Sequence, residues 1–508
     1  MRSALLSNLG FVLQISGIFI LFPIVISFIN SEPLATVGLF IAAISFLVLG
    51  FLLNALCERK ELSFKQSCTL VVIAFISLSL IGSIPYMYFF SSMENTALSI
   101  SQIITDSIFE STSGFTTTGF SIISDYSCIP SSIILYRALT QFVGGVGIVL
   151  IMLAFFYPET KLKELSRSMG FGTNGKVKKT FMLIITIYCS YTVVMIITGF
   201  LSGYSDIINL TSFIFSALST GGFTPVADIT APITQSSLVF IIPFSMVLGA
   251  TNFVVLAGLF RGKMKGTLKE KIIDKIKAFF KTEITAFIII AIVSIILVTA
   301  FFNLSPYDAL FHVISAMSTT GFSYLPTQDF SNALKIFLTI LMFIGGTSLS
   351  TAGGIKMYRL LLMIKAVKKT ATDMITQQDS KVSLHGKNYS NSEVIQAAVL
   401  VILSVFIIVI SSFVLTASGF SFVDSAFETT AALGTVGLSV GIAGPALALP
   451  LKWLFTILMI IGRVEILSLL VVFSHKKEPR NIQEAAKRKK QALEFTIDLD
   501  CIDPDTDD

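Results

Sequence analysis

Four clusters of serine, threonine and glycine, each set in apolar sequence, are the part of this chain best suited to chemistry. They read FESTSGFTTTGF (109–120), FIFSALSTGGF (213–223), FHVISAMSTTGF (311–322) and FETTAALGTVGL (427–438). Each has glycine in its penultimate place, and glycine adopts backbone conformations and close approaches that other residues resist. If four such turns met on one axis, their carbonyls would surround a common centre, which is how a dehydrated cation is held.

The spacing of the penultimate glycines indicates repeated units. Gly119, Gly222, Gly321 and Gly437 are separated by 103, 99 and 116 residues, and a period near one hundred residues indicates four copies of one structural unit. One copy alone would be explained equally well by an ordinary helix C-cap that ends in glycine. Four copies, each between long apolar segments, favour a cation path.

The elements that must position these clusters are membrane helices. Of the 508 residues, 54% are hydrophobic and only 13% are charged, which is typical of a polytopic membrane protein. Each copy has a long apolar run, a half-length segment, the cluster and a second long run. The long runs match the roughly 20 residues that cross a hydrocarbon core. They are 11–29 and 34–56, then 68–90 and 132–156, 181–201 and 237–260, 284–302 and 333–364, and 394–417 and 451–473.

We therefore predict an all-α polytopic membrane protein with ten spanning helices. Its fold is predicted to be four pseudo-repeats of helix, re-entrant pore loop and helix around a central pore, plus two extra N-terminal transmembrane helices. The predicted divisions are the N-terminal helix pair at 1–60, pore repeats at 61–160, 161–265, 266–370 (with an intramembrane gate loop) and 371–474, and a cytoplasmic tail at 475–508, basic first and then acidic.

Charge placement predicts the topology independently. If the N-terminus is cytoplasmic, 32 of the 36 lysines and arginines fall on the cytoplasmic side, and only Arg137, Lys335 and Lys452 lie on the outer side. This positive-inside pattern predicts that both termini are cytoplasmic.

In this topology the half-length segments enter the membrane from the outer side. Thirteen residues before each glycine stands Asp106, Asn209, Asp308 or Asp424, and these side chains are predicted to cap the helix N-termini. The partly negative C-terminal ends then point toward the bilayer centre, where they favour a cation.

Two further features lie in the later apolar runs. The run 333–364 is interrupted at 345–354 by ten residues, nine of them small and four of those glycine, which predicts an unwound loop, although a helix-packing face is the alternative. Arg463 lies in an apolar helix, where it is either an electrostatic barrier in a cavity or the partner of a carboxylate such as Glu465. Lys356 is either part of the same gate or a side chain that snorkels to the interface.

Glu110 and Glu428, on the first and fourth half-helices, are predicted to be mainly structural.

The clusters and the segments that follow them resemble a known superfamily. After the clusters come Gly144-Gly145-Val146-Gly147, GATNF at 249–253, the run 345–356, and Gly462-Arg463-Val464-Glu465. Together these look like the Trk/Ktr/HKT superfamily of potassium transporters, and the extra N-terminal helix pair is most similar to its TrkH/TrkG membrane subunits. The resemblance covers nearly the whole chain up to residue 473.

The resemblance implies a set of site residues. Glycine at all four filter positions implies selectivity for potassium, which is the transported ion, and no organic cofactor is expected. The carbonyls implied to bind potassium belong to Thr117, Thr118, Thr220, Gly221, Thr319, Thr320, Thr435 and Val436, beside the filter glycines Gly119, Gly222, Gly321 and Gly437. The implied gate consists of Gly345, Gly346, Thr347, Ser348, Ser350, Thr351, Gly353, Gly354, Lys356 and Arg463.

The resemblance also implies partners. These are a second copy, giving a homodimer with two separate pores, and a cytosolic nucleotide-binding subunit of the RCK (TrkA-like) type. The basic segment 261–281 suits both that subunit and anionic membrane lipid, and no nucleic-acid partner is expected.

Two other classes of function compete with this assignment. An enzyme is disfavoured because His312, His385 and His475 are far apart in sequence and neither an HExxH motif nor a nucleophile elbow is present. A secondary transporter that couples potassium to sodium or protons remains the alternative, although four similar loops favour a channel-like path.

Overall fold

The computed structural model describes residues 2–57, 62–92, 98–156, 177–234, 237–253, 255–256, 282–376, 382–384 and 387–474, and these are mostly helical. A short β-hairpin pairs β1 (Val382–Leu384) with β2 (Lys387–Tyr389). The helices are α1 (Arg2–Ile29), α2 (Pro33–Leu56), α3 (Phe64–Gly82), α4 (Ile84–Ser91), α5 (Ile100–Phe115), α6 (Ser131–Phe156), α7 (Val177–Leu201), α8 (Ile207–Leu218), α9 (Thr230–Thr234), α10 (Leu238–Ala250), α11 (Glu283–Phe302), α12 (Pro306–Met317), α13 (Asn332–Ile344), α14 (Met357–Thr376), α15 (Asn391–Ala417), α16 (Phe422–Leu433), α17 (Leu449–Val464) and α18 (Ile466–Phe473).

The N-terminal pair α1 and α2 packs at small residues. A side chain on Gly10 would meet the Gly50 carbonyl oxygen at 2.7 Å, and a side chain on Gly50 would meet the Gly10 carbonyl oxygen at 2.8 Å. Such close backbone approach is the usual way in which helices associate where lipid removes the hydrophobic driving force between them.

The described residues contain six helices that are long and apolar enough to cross a membrane, or seven if the bent pair α17 and α18 is one span. These helices expose large apolar side chains, as lipid-facing helices do. The prediction of a mostly helical polytopic membrane protein is confirmed.

The predicted spans at 237–260 and 451–473 are each interrupted within the described residues. Helix α10 ends at Ala250, and the chain continues in an extended conformation at Thr251. Between α17 and α18 the chain bends by 92° at Glu465, whose φ is +63°. The interruption predicted within 333–364 is present, because α13 ends at Ile344 and α14 begins at Met357.

Contacts with the 345–356 segment explain the break after α10. The carbonyl of Ala250 accepts hydrogen bonds from the amide and hydroxyl of Thr347, at 3.1 and 2.8 Å. The carbonyl of Gly249 accepts from the amide and hydroxyl of Thr351, at 3.2 and 2.9 Å. The end of α10 therefore finds hydrogen-bond partners in another part of the chain, which a membrane interior requires.

Four short helices, α5, α8, α12 and α16, form the buried centre of the molecule and carry the four clusters. Their N-caps differ from the prediction: the capping side chains are Ser99, Asp206, Ser305 and Ser421. Asp308 and Asp424 lie in the first turns, as does Asn209, and Asp106 lies inside α5, where it binds a lysine. The short side chains of serine and aspartate reach the second and third amides from the cap position, which explains the difference.

The predicted basic segment 261–281, His385 and the tail 475–508 lie outside the described residues. The charges that these segments contribute to the predicted topology therefore remain predictions from the sequence.

Candidate functional site

Each short helix ends in the same turn. The residue two places before the penultimate glycine of each cluster is a threonine with a left-handed backbone: Thr117, Thr220, Thr319 and Thr435 have φ of 53°, 53°, 57° and 49°. The next amide bonds back to a carbonyl five residues earlier, as from Thr118 to Ser113 at 2.9 Å and from Val436 to Ala431 at 2.8 Å. This is a Schellman cap in which threonine occupies the place where glycine is usual.

The turn geometry distinguishes the two interpretations of the glycines. Because threonine makes the helix cap, Gly119, Gly222, Gly321 and Gly437 are not the cap residues; they follow it by two positions. Each of them also has a positive φ, between 82° and 89°. A left-handed conformation costs an ordinary residue roughly 1–2 kcal/mol, so four threonines held in it indicate a backbone fixed by its surroundings.

The four glycines meet in a closed ring. A side chain on Gly119 would overlap the Gly221 carbonyl and lie 2.9 Å from the Gly222 Cα, and one on Gly222 would overlap the Thr320 carbonyl. In the same way Gly321 faces the Val436 carbonyl, and Gly437 faces the Thr118 carbonyl. Each turn therefore contacts the next by backbone alone, and the fourth returns to the first.

Four of the eight carbonyls that the family resemblance implies for ion binding, those of Thr118, Gly221, Thr320 and Val436, face the glycine of a neighbouring turn in this ring. Of the eight carbonyls, only that of Gly221 accepts a hydrogen bond from the described residues, and the donor is Gln141 Nε2 at 2.6 Å. The hydroxyls of Thr117 and Thr435 are buried and have no partner within the described part of the chain. Unpartnered buried oxygens of this kind are what a bare cation requires.

Three of the four turns are braced by their own short helix. Glu110 accepts hydrogen bonds from the Ser121 hydroxyl at 3.0 Å and the Ile122 amide at 3.1 Å. Glu428, at the equivalent position of the fourth copy, accepts from the Ser439 hydroxyl at 2.6 Å and from the amides of Val440 and Ala443 at 3.1 and 2.7 Å. In the third copy His312 Nε2 lies 3.0 Å from the Ser323 hydroxyl. These buried groups hold the segment that leaves each turn.

The second turn is braced differently, since Phe213 stands where the other copies have Glu110, His312 and Glu428. Its partners come from α6. Gln141 binds its backbone, and Arg137 donates to the Thr224 carbonyl at 3.2 Å with its guanidinium 4.2 Å from the centre of the Phe223 ring.

Ion pairs join the short helices to the longer helices beside them, and two of these pairs link neighbouring copies. Lys335 of α13 binds Asp424 of α16 at 2.8 Å, and Lys452 of α17 binds Asp106 of α5 at 2.7 Å. Arg137, which is 1% exposed, binds the fully buried Glu110 at 2.9 Å. The three basic residues predicted on the outer side are thus all paired with carboxylates of the short helices.

The segment 345–356, which we name the glycine loop, lies against the ends of the short helices. The Thr351 hydroxyl donates to the Leu218 carbonyl at 3.0 Å, and the Gly353 amide donates to the Thr319 hydroxyl at 2.7 Å. The Gly354 amide donates to the Gly434 carbonyl at 3.1 Å. The loop thereby contacts the second, third and fourth turns on their helix side.

Arg463 connects this loop to the first copy. Its guanidinium donates to the carbonyls of Thr351 and Gly144, each at 2.9 Å, and the residue is 3% exposed. The alternative of an ion pair with Glu465 is wrong, because Glu465 binds Arg359 at 2.7 Å. The bend at Glu465 turns its side chain toward α14, so the two residues diverge although only one position separates them.

Two more side chains fix the loop. Glu283, at the start of α11, accepts from the amide and hydroxyl of Ser348 at 2.9 and 3.1 Å. The Lys356 ammonium donates to the Ala352 carbonyl within the loop itself, so in this structure the lysine folds back instead of snorkelling outward.

Sequence reasoning missed two residues of this site, Gln141 and Glu283. Each carried a weak signal, as a polar side chain within or at the start of a long apolar run. Neither the partner nor the distance of the contact could be read from such a signal.

Comparison with known proteins agrees with this architecture. A family model described as TrkH, cation transport protein, matches residues 37–484. An uncharacterized cation transporter of Methanocaldococcus jannaschii is 29% identical over 478 residues, covering 92% of this chain and 95% of the relative. The Trk system potassium uptake protein TrkH of Escherichia coli is 25% identical over 441 residues, covering 82% of this chain and 86% of the relative.

A solved structure shares the fold. The potassium transporter TrkH from Vibrio parahaemolyticus matches with a TM-score of 0.78 at 22% identity, covering 94% of this chain and 99% of that one. The resemblance noted from the sequence is confirmed, and these relatives are transporters and not enzymes. Since the family model spans most of its length, this chain belongs to the TrkH family of cation transport proteins.

Proposed function

We propose that this protein takes up potassium across the cytoplasmic membrane through the ring formed by the four glycine turns. The observation that carries the proposal is the closed backbone ring, in which each glycine contacts a carbonyl of the next copy. Relatives that cover most of the chain are named as potassium uptake proteins. The inside-negative potential would drive uptake with about 2.3 kcal/mol per charge for each 100 mV.

The proposed potassium ligands are the eight carbonyls at positions 117, 118, 220, 221, 319, 320, 435 and 436. Seven of them accept no hydrogen bond from the described residues, which supports the assignment. Glycine at all four ring positions lets the turns approach closely enough to replace the hydration shell of an ion.

The proposed gate is the glycine loop together with Arg463. The loop bonds the hydroxyls of Thr220 and Thr319, whereas those of Thr117 and Thr435 have no partner among the described residues. The cationic Arg463, bound to the loop at Thr351, adds an electrostatic barrier beside it. Opening then requires the loop to leave its contacts with the turns.

We further propose that a cytosolic RCK-type nucleotide-binding subunit regulates this gate and that the protein is a homodimer in anionic lipid with both termini cytoplasmic. The naming of its relatives as parts of a Trk system supports a regulatory partner. The excess of basic residues on one side of the predicted topology supports the orientation.

The experiment that tests the proposal is rubidium-86 uptake into proteoliposomes containing the purified protein under a potassium diffusion potential. We expect excess potassium to block uptake and equal sodium to leave it intact. Block by sodium as effective as block by potassium would contradict the assignment of the ring as a potassium filter.

Coupled transport is the alternative function, and the same assay separates it from channel-like flux. If uptake requires an imposed sodium or proton gradient even after addition of a cytosolic nucleotide-binding subunit with ATP or ADP, the protein is a symporter. Uptake driven by the membrane potential alone favours the channel-like path.

A further inference from the structure

The second turn lacks two side chains that the other three have. At the position before the ring glycine it has Gly221, where the other copies have Thr118, Thr320 and Val436. On its short helix it has Phe213, which cannot form the hydrogen bond that braces the other turns. A turn without these groups has no support of its own for the backbone that enters the ring.

Gln141 of α6 fills both gaps. It is fully buried, and its Nε2 donates to the Gly221 carbonyl at 2.6 Å. Its Oε1 accepts from the Phe223 amide at 3.2 Å and from the Ser216 hydroxyl at 2.8 Å. A side chain at Gly221 would overlap the Gln141 carboxamide, so this amide occupies the volume that Thr118 or Thr320 fills in another copy.

We propose that Gln141 is the positioning residue of the second turn and a determinant of ion selectivity. This inference rests on the proposed function, because it assumes that the ring selects the ion. The carboxamide holds the Gly221 carbonyl and the Phe223 amide on either side of Gly222, and thereby fixes the backbone of that turn from outside its own repeat.

The chemistry of this position requires an amide. One face must donate to a carbonyl and the other must accept from an amide and a hydroxyl, and glutamine supplies both in one rigid group. Leucine has a similar volume and provides neither bond. Ionised glutamate keeps the acceptor and loses the donor, and its second oxygen would face the Gly221 carbonyl.

Because the Gly221 carbonyl shares its lone pairs between Gln141 and an ion, the second turn contributes a ligand unlike the other three. Selectivity of the ring then depends on Gln141, although Gln141 does not touch the ion. A purely structural role would lower the amount of folded protein and its thermal stability without changing the preference between ions.

The test is the rubidium-86 uptake assay with sodium and potassium as competitors, applied to Gln141→Leu. We expect the ratio of sodium to potassium inhibition constants to fall about tenfold, which corresponds to about 1.4 kcal/mol and to the net worth of a buried hydrogen bond. If the leucine variant does not fold, Gln141→Glu replaces it, and this variant is also expected to lower the ratio. The matched control is Thr140→Val, which removes a buried hydroxyl bonded to its own helix at Arg137, with an unchanged ratio expected.

A rescue experiment separates positioning from general damage. Gly221→Thr converts the second turn from STGGF to STTGF, the sequence of the third turn. With Gln141 in place this change should abolish selectivity, because the two side chains overlap. Combined with Gln141→Ala it should recover selectivity relative to Gln141→Ala alone.

The outcomes are distinct. A wild-type ratio in both Gln141→Leu and Gln141→Glu, or failure of Gly221→Thr to improve the Gln141→Ala variant, overturns the inference and leaves the proposed function standing. Wild-type protein whose uptake shows no preference for potassium overturns both.

Discussion

The ring of glycine turns and the glycine loop beside it are built from similar residues but are held in different ways. The ring is fixed by buried carboxylates, a histidine, an amide and three ion pairs between short helices and their neighbours. The loop is held mainly by single hydrogen bonds, many of them to carbonyls at helix ends. A net hydrogen bond is worth about 0.5–1.5 kcal/mol, whereas a broken buried ion pair costs about 3–5 kcal/mol.

This difference matches the two tasks that we propose. A ring that discriminates between ions of one charge must keep its oxygens at fixed distances, and the braces supply that rigidity. A segment that opens must exchange its contacts at low cost, and four glycines with contacts that are individual hydrogen bonds allow it. Glycines at both ends of the loop, Gly345 and Gly354, have φ of 70° and 73°, which marks them as the places where its direction changes.

The largest effect is expected from removing a brace of the ring. Arg137→Met leaves the Glu110 carboxylate buried without its cation, which costs about 3–5 kcal/mol of folding free energy. Thermal unfolding in detergent should show a clearly lower midpoint. Adding Glu110→Gln should restore part of the loss, and a double variant no more stable than Arg137→Met would contradict the ion pair as the cause.

The next effect is expected at a ring glycine. In Gly119→Ser, left-handed strain of about 1–3 kcal/mol adds to overlap with the Gly221 carbonyl, and potassium over sodium discrimination should fall at least about tenfold. Competition of rubidium-86 uptake measures it. Gly419→Ser is the matched control, because Gly419 has a φ of +101° and no atoms within 4 Å, so it carries the strain without the overlap. Equal losses in both variants would attribute the effect to strain alone.

On the loop side, Arg463→Ala should raise basal flux. The substitution removes two charged hydrogen bonds, to Thr351 and Gly144, each worth about 1.5–3 kcal/mol, and the positive charge with them. Uptake without a regulatory subunit should increase several-fold to about tenfold while selectivity is unchanged. Lys369→Ala, which breaks a pair with Asp373 within α14, is the control. Flux at the wild-type level in Arg463→Ala would remove this residue from the gate.

The smallest effect is expected at Glu283. Glu283→Gln weakens the bonds to the Ser348 amide and hydroxyl by about 1 kcal/mol, so basal flux should rise about two- to fivefold. Combining it with Ser348→Ala tests whether the two residues act together. Effects on flux that add without any coupling would show that this contact does not hold the loop.

Local patterns in the sequence predicted much of this molecule. Apolar runs of spanning length predicted the helices, and recurrence of glycine near every hundred residues predicted four similar turns, because both patterns can be recognised without knowing which segments pack together. The glycines at 345–354 likewise predicted the interruption between α13 and α14. The breaks within 237–260 and 451–473 were not predicted, because hydropathy reports burial and not helix continuity.

The N-caps show the same limit at finer scale. Asp308, Asp424 and Asn209 were predicted to cap the short helices, but a serine or an aspartate three residues earlier does so. Composition alone does not fix the end of a helix to within three residues, because the end depends on a single capping side chain.

The amino-acid sequence by itself determined that the chain is mostly helical, where glycine is needed and that the protein belongs in a membrane. Only the tertiary structure decided which polar groups meet: Gln141 with Gly221, Glu283 with Ser348, and Lys452 with Asp106, which are 346 positions apart. The reason is physical. Hydropathy and backbone preference act between neighbours along the chain, whereas a buried polar side chain takes its partner from whichever element packing brings within hydrogen-bond distance.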